Sequence, residues 1–153
     1  MTVQFDHSVV IAAPIDDVFW LSLDVDAHVA SMAHSGERIV DGVRHGRLGL
    51  GDQVTFRGRH FGIPFTLTSR VIELDEPHRF VDEQVRGPFR SFRHEHLFRS
   101  QDGATVMTDR LRFDAPVGVV GTVAERMVLG RYLRQLIEQR SRHTKREAER
   151  RAS

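Results

Sequence analysis

Asp102-Gly103, set between two alternating segments, limits the fold of this chain more than any other feature. Asp-Gly supplies the two left-handed residues of a tight hairpin turn, and such a turn fixes the register of the strands it joins. Centring a hairpin there pairs Phe98 with Met107, His96 with Asp109, His94 with Leu111 and Phe92 with Phe113. A second turn at Gly62-Ile63, glycine first, pairs Val54 with Val71, Phe56 with Ser69, Gly58 with Leu67 and His60 with Phe65. The alternates Gln53, Thr55, Arg57 and Arg59 then face Ile72, Arg70, Thr68 and Thr66, and are mostly polar. The two strands select the same face independently, as burial of one side of an antiparallel sheet requires.

The pattern continues on both sides. A turn at Glu76-Pro77 carries the inner face to Phe80, Asp82 and Gln84. A loop centred on Pro88 sets Asp82 opposite His94 and Gln84 opposite Phe92; a slip of one residue would exchange Asp82 for Glu83. Upstream, Val3, Phe5, Val9 and Ile11 share one parity, the mark of a half-buried strand. Ala13-Pro14-Ile15-Asp16-Asp17 opens a short helix, with Pro and acids where a first turn tolerates them. A second short helix is expected near Val25–Met32.

The last element is a helix from about Val117. Leu129, Leu133, Leu136 and Ile137 follow i, i+4, i+7, i+8 spacing. Val119, Val120, Val123 and Met127 form an earlier stripe, and Gly130 lies where the two meet, so the helix is either kinked there or straight with a broad buried face. Apolar spacing ends at Ile137, so the basic end, residues 138–153, is expected to be solvated and dispensable beyond about Arg146.

At 153 residues, 40% apolar and 28% charged, the chain suits one globular α+β domain over residues 1–153. It has no cysteine, hence no disulfide, thiolate metal site or cysteine nucleophile. There is no signal-like N-terminus and no run near about 18 apolar residues, so the expectation is a cytoplasmic protein without a membrane span. Residues 126–151 hold nine Arg or Lys against three Glu, a balance of +6, which leaves −5 for the remainder of a chain of net charge +1. Residues 138–153 contain no aromatic side chain for base stacking, so that charge is read as a solvated helix end and no nucleic-acid partner is expected.

The inner face is unusually polar for a core. It gathers His60, Ser69, Asp82, Gln84, His94, His96 and Asp109 among Phe56, Phe65, Leu67, Phe80, Phe92, Phe98, Met107, Leu111 and Phe113. An unpaired buried polar group costs about 1–3 kcal/mol, so these groups either satisfy one another or border a wet cavity. Apolar walls with a few converging polar groups describe a ligand pocket, and Gly58 would leave it extra room. Three chemistries fit His94-x-His96 with Asp109 and Asp82. Two histidines and a carboxylate can ligate zinc or iron. A histidine held by an aspartate can act as acid or base. Histidine–aspartate pairs can also satisfy one another and orient polar groups toward a ligand. The last is the expectation, as His96–Asp109 and His94–Asp82, with no metal and no cofactor.

Arg79-Phe80-Val81-Asp82-Glu83-Gln84-Val85-Arg86-Gly87-Pro88-Phe89, followed by Phe92-x-His94-x-His96-x-Phe98, resembles the SRPBCC superfamily, in particular the bacterial polyketide cyclase/dehydrase-like branch of the START/Bet v 1 group. Ala12-Ala13-Pro14 before Val18-Phe19, Gly62-Ile63-Pro64, Glu76-Pro77, Met107-x-Asp109 and Pro116-Val117-Gly118 extend the resemblance over nearly the whole chain. It implies the helix-grip fold, a curved seven-stranded antiparallel sheet closed by a long C-terminal helix around a cavity for hydrophobic or amphipathic small molecules. Phe92 stands where Trp is expected and Leu67 where an aromatic is commoner, which alters the lining. The expected function is binding of a lipid, quinone, polyketide or other aromatic. The alternative is a cyclase/dehydratase with His94 or His96 as general base. The sequence specifies no oligomeric state.

Overall fold

The computed structural model describes residues 2–115 and 123–153. Seven antiparallel strands form one sheet in the order β1-β7-β6-β5-β4-β3-β2. They are β1 (Thr2–Ile11), β2 (Arg38–Gly42), β3 (Gln53–His60), β4 (Ile63–Asp75), β5 (Arg79–Arg86), β6 (Ser91–Gln101) and β7 (Ala104–Asp114). Helices α1 (Ile15–Ser22) and α2 (Val25–Ser31) and a 3-10 turn at Ala33–Ser35 join β1 to β2. Helix α3 (Val123–Ala152) lies on the concave side, against β1, α1 and α2.

The β6–β7 hairpin has the expected register: Asp102 and Gly103 both take positive φ, and His96 pairs with Asp109. The β3–β4 hairpin differs. Its turn is Phe61-Gly62, with φ of 56° and 73°, rather than Gly62-Ile63, so Val54 pairs with Ser69 and Phe56 with Leu67. The shift moves every partner by two residues, and a two-residue shift preserves the face. Between β4 and β5 a one-residue bulge at Ile72 lets Val71 pair with Asp82 and Leu74 with Phe80, which holds the apolar parity through the strand. Asp82 pairs with His94, so the one-residue slip does not occur.

The outer face carries a cross-strand ion ladder. Arg110 on β7 bonds Asp6 at 3.0 Å and Glu95 at 3.2 Å; Arg79 on β5 bonds Glu95 at 2.6 Å and also meets Glu73. Inside, the apolar side chains separate into two clusters. One packs α1 onto the sheet through Val18, Phe19, Val71, Phe80, Phe98 and Met107. Phe19 meets Phe80 and Phe98 edge-on, at 5.7 and 5.2 Å between ring centroids. The other joins Phe5, Leu111 and Phe113 to Leu133 and Ile137 of α3.

Helix α3 passes through Gly130 as one continuous helix, and Gly130 lies against Val3. Of the earlier stripe, Val123 and Met127 are exposed, while Val119 and Val120, with the expected start at Val117 and the Pro116-Val117-Gly118 motif, lie outside the described residues. The expectation of a solvated end is overturned. Burial continues past Ile137 through Ser141 and Ala148, and Ala148 belongs to the α1 cluster. Lys145 Nζ donates to the Val10 carbonyl at 2.6 Å, and the Ala12 amide donates to Glu149 Oε1 at 3.0 Å. The helix end is thereby fastened to the end of β1 and the residue after it.

Candidate functional site

Between the sheet and α3 lies a cavity of about 860 Å³. Strands β3, β4, β5 and β6 contribute Phe56, His60, Phe65, Leu67, Ser69, Phe80, Asp82, Phe92, His94 and His96, and β7 contributes Leu111. Five other expected residues sit differently. Phe98 and Met107 are consumed by packing under α1, and Phe113 by packing against Phe5 and α3. Gln84 turns to the β5–β6 loop, donating to the Phe89 carbonyl at 2.7 Å and accepting from the Phe89 amide at 3.2 Å. Asp109 lies beneath the lining, buried, and reaches the cavity only through the imidazoles it holds.

Cross-strand geometry explains that cluster. His96 and Asp109 are direct ladder partners, as are His94 and Asp82, but the rings lean along the strand. His94 Nε2 bonds Asp109 Oδ1 at 2.8 Å, and His96 Nε2 bonds Asp82 Oδ2 at 2.8 Å. His96 Nδ1 also lies 3.2 Å from Asp109 Oδ1, so the expected His96–Asp109 pair is present, whereas the hydrogen bond expected between His94 and Asp82 is replaced by the diagonal one. The two rings stack at 3.8 Å. Asp82 Oδ1 accepts from Ser69 at 2.9 Å, and Asp109 Oδ2 accepts from Ser141 of α3 at 3.2 Å. Seven polar inner-face residues are thus tolerable because most of them satisfy one another.

The electrostatics follow from this wiring. Burial drives the His96 pKa down, but hydrogen bonds to Asp109 and Asp82 outweigh it and hold it above the ordinary value. With a carboxylate on each nitrogen, His96 is an imidazolium. Burial would raise the pKa of Asp109 and Asp82; hydrogen bonds from the histidines reverse this and keep both ionised. His94 is lowered by burial and by the His96 charge, so it is neutral. Its Nε2 carries the proton donated to Asp109, which leaves a lone pair on Nδ1. That atom has no hydrogen-bond partner among the described residues. No sealed side-chain nitrogen or oxygen among them lacks one, so Nδ1 is open to the cavity that His94 lines.

Asp82, His94 and His96 each offer a ligand atom within 4.8 Å of the others. In this state His96 is protonated, with Nε2 bonded to Asp82 and Nδ1 3.2 Å from Asp109, so neither nitrogen offers a lone pair to a metal.

Several polar lining residues escaped the strand-based reading, among them His28, Glu37, Tyr132 and Arg140. His28 on α2 and Glu37 after the 3-10 turn form a second pair, His28 Nε2 to Glu37 Oε1 at 2.6 Å, with the His28 ring 4.3 Å from Phe56. Burial lowers the His28 pKa, Arg140 adds to this, and His28 is neutral; Glu37, which burial alone would raise, is lowered by its bond to His28. Tyr132 and Arg140 come from α3, Tyr132 bonding His60 Nδ1 at 2.6 Å. Helical spacing contained three of these: His28 falls in the row Val25, His28, Met32, Tyr132 in the row Leu129, Tyr132, Leu136, and Arg140 extends the row Leu129, Leu133, Leu136. At the mouth, Phe61, Ile63 and Val128 line the cavity yet are more than half exposed.

Comparison with known proteins agrees with this architecture. A family model described as polyketide cyclase/dehydrase and lipid transport matches residues 2–149. No curated protein is close enough in sequence to count as a match. Among solved structures, TTHA0849 from Thermus thermophilus superposes with a TM-score of 0.81 at 14% identity, covering 99% of this chain and 100% of its own. The Zhui aromatase/cyclase from Streptomyces sp. R1128 gives 0.81 at 20% identity, over 100% of this chain and 97% of its own. Ginseng major latex-like protein 151 from Panax ginseng gives 0.67 at 13% identity, over 96% and 97%. These likenesses establish the helix-grip fold. No helix among the described residues is long and apolar enough to cross a membrane.

Proposed function

The chain belongs to the polyketide cyclase/dehydrase and lipid transport family, and we propose that it binds a hydrophobic or amphipathic small molecule between its sheet and α3. The cavity carries this reading. Its volume of about 860 Å³ falls within the range of roughly 300–1,000 Å³ typical of small-molecule sites. Phe56, Phe65, Leu67, Phe92 and Leu136 offer an apolar body, and His28, Glu37, Asp82, His94, His96 and Arg140, within electrostatic reach of one another, make a polar wall. Such a site suits a lipid, quinone, polyketide or other aromatic. The basic end of α3 is assigned to docking on β1 rather than to nucleic acid, since Lys145 and Glu149 are engaged there. A cytoplasmic setting is proposed from the cysteine-free composition. Native mass spectrometry of the purified chain tests the reading: a co-purifying small molecule, or uptake of the neutral dye Nile red, is expected. Protein that carries nothing and excludes the dye would overturn it.

A second reading, a cyclase/dehydratase, is favoured by one observation: His94 Nδ1 is a lone pair open to the cavity, with its tautomer held by Asp109. That is the geometry of a general base, and it singles out His94 because both nitrogens of His96 are occupied. Under this reading His94 removes a proton from a β-hydroxycarbonyl substrate. His94→Gln should then abolish turnover while Nile red still binds. Equal turnover in the variant would exclude it.

A further inference from the structure

The polar wall has an uneven inventory of donors and acceptors. Arg140 makes no hydrogen bond or ion pair among the described residues, yet it lines the cavity and its charge reaches Asp82, Glu37 and His28. Guanidinium donates and never accepts. Against it stand acceptors. His94 Nδ1 is a lone pair on a residue only 3% exposed. Glu37, whose side chain is 8% exposed, gives Oε1 to His28, and its Oε2 has no partner among the described residues.

Charge points the same way. Asp82, Asp109 and Glu37 are ionised, His96 and Arg140 are cationic, and His28 and His94 are neutral. Three carboxylates against two cations leave this cluster one negative charge, and Asp24, a further carboxylate lining the same cavity, does not offset it. A ligand carboxylate would satisfy Arg140 but donate nothing to His94 or Glu37, and it would enter a shielded site that already has excess negative charge. An ammonium would meet Glu37 but could not accept from Arg140. A hydroxyl does both: its oxygen accepts from Arg140 while its proton goes to His94 Nδ1 or Glu37. We infer that the ligand meets this wall through a hydroxyl group, so that the cavity selects alcohols and phenols over the matching carboxylates.

The inference rests on the binding reading above and deepens it. Matched pairs test it: naphthol against naphthoate, and dodecanol against dodecanoate, each displacing Nile red from the full chain at about pH 7.5, where the acids are ionised and the alcohols neutral. Each alcohol should displace the dye at roughly tenfold lower concentration than its carboxylate. Glu37→Gln, which removes one negative charge at nearly constant shape, should narrow that gap. If the variant does not fold, Arg140→Met supplies the second arm, and the carboxylates should weaken further. Carboxylates that compete as well as or better than the alcohols, or a gap unchanged in folded Glu37→Gln, would overturn the hydroxyl assignment while leaving binding intact. If Nile red does not enter the wild-type protein and none of the four compounds binds, the binding reading falls, and this one with it.

Discussion

His96 faces Asp109 directly across the β6–β7 ladder, yet its ring bridges two carboxylates: Nδ1 lies 3.2 Å from Asp109 and Nε2 2.8 Å from Asp82 on the opposite neighbouring strand. An imidazole with a carboxylate beside each nitrogen is held cationic, and its charge compensates two buried acids at once. Asp109 in turn accepts from His94 and Ser141 and pairs with the His96 charge, so one carboxylate ties β6, β7 and α3 together.

Removing that carboxylate should therefore be costly. Asp109→Ala leaves the buried His96 imidazolium with Asp82 alone and takes the acceptor from His94 and Ser141, and should destabilise the fold by about 3 kcal/mol. Urea unfolding followed by far-ultraviolet circular dichroism would show a lowered midpoint with an unchanged slope. A midpoint within experimental scatter of the wild type would mean that the pair is solvated and contributes little.

The pKa values of the two stacked histidines should be displaced in opposite directions. His96 should stay protonated above the ordinary imidazole pKa of about 6.5, and His94 and His28 should stay neutral below it. The signs for stability follow. Between about 6.5 and the raised folded value, native His96 holds a proton that the unfolded chain releases, so its contribution fades as pH rises through that window. Below about 6.5 the unfolded chain protonates His94 and His28 while the native protein does not, so stability falls as pH falls. Nuclear magnetic resonance titration of the imidazole protons reads all three; a single shared midpoint for His94 and His96 would contradict the assigned charges.

Strand parity was legible because turns and alternation are local. Asp102-Gly103 and the inner run from Phe92 to Phe98 sufficed to set His96 opposite Asp109. The Phe61-Gly62 turn was misread because a bulky aromatic at positive φ is a rare choice, and glycine first was the more ordinary one. The diagonal lean of His94 toward Asp109 was not legible, since register fixes backbone partners and leaves rotamers free. Phe98, Met107 and Phe113 share the cavity-facing parity, but where helices cover that face is a tertiary fact. Glu37 left no periodic signal at all, because it follows a 3-10 turn and belongs to no regular element.

The C-terminal end reverses its sequence-based expectation, and deletion of residues 147–153 tests it. Ser141 and Ala148 carry burial beyond Ile137, and both are too small or too polar to register as an apolar stripe. Deletion exposes the α1 cluster beside Ala148 and leaves the Ala12 amide without Glu149. Losing that packing and one charge-assisted hydrogen bond should cost about 2 kcal/mol, or roughly 4–8 °C in melting temperature for a chain of this size. An unchanged melting temperature would show that the helix end is only laid against β1.

Cavity volume can be tested apart from cavity chemistry by replacing Leu67 with Trp. Leu67 lies on β4 opposite Phe56, lines the cavity and is only partly buried, so an indole can grow into empty space rather than into packed neighbours. Overpacking a filled core costs about 1–3 kcal/mol, but filling a void does not carry that penalty. Leu67→Trp should therefore melt within a few degrees of wild type. It should bind Nile red more weakly, by about tenfold, while small phenols that need only the polar wall are less affected. Loss of stability comparable to that of Asp109→Ala would show that the space around Leu67 is closed in solution. Unimpaired dye binding in a stable variant would place the dye outside the cavity and remove the main support for a ligand held between sheet and helix.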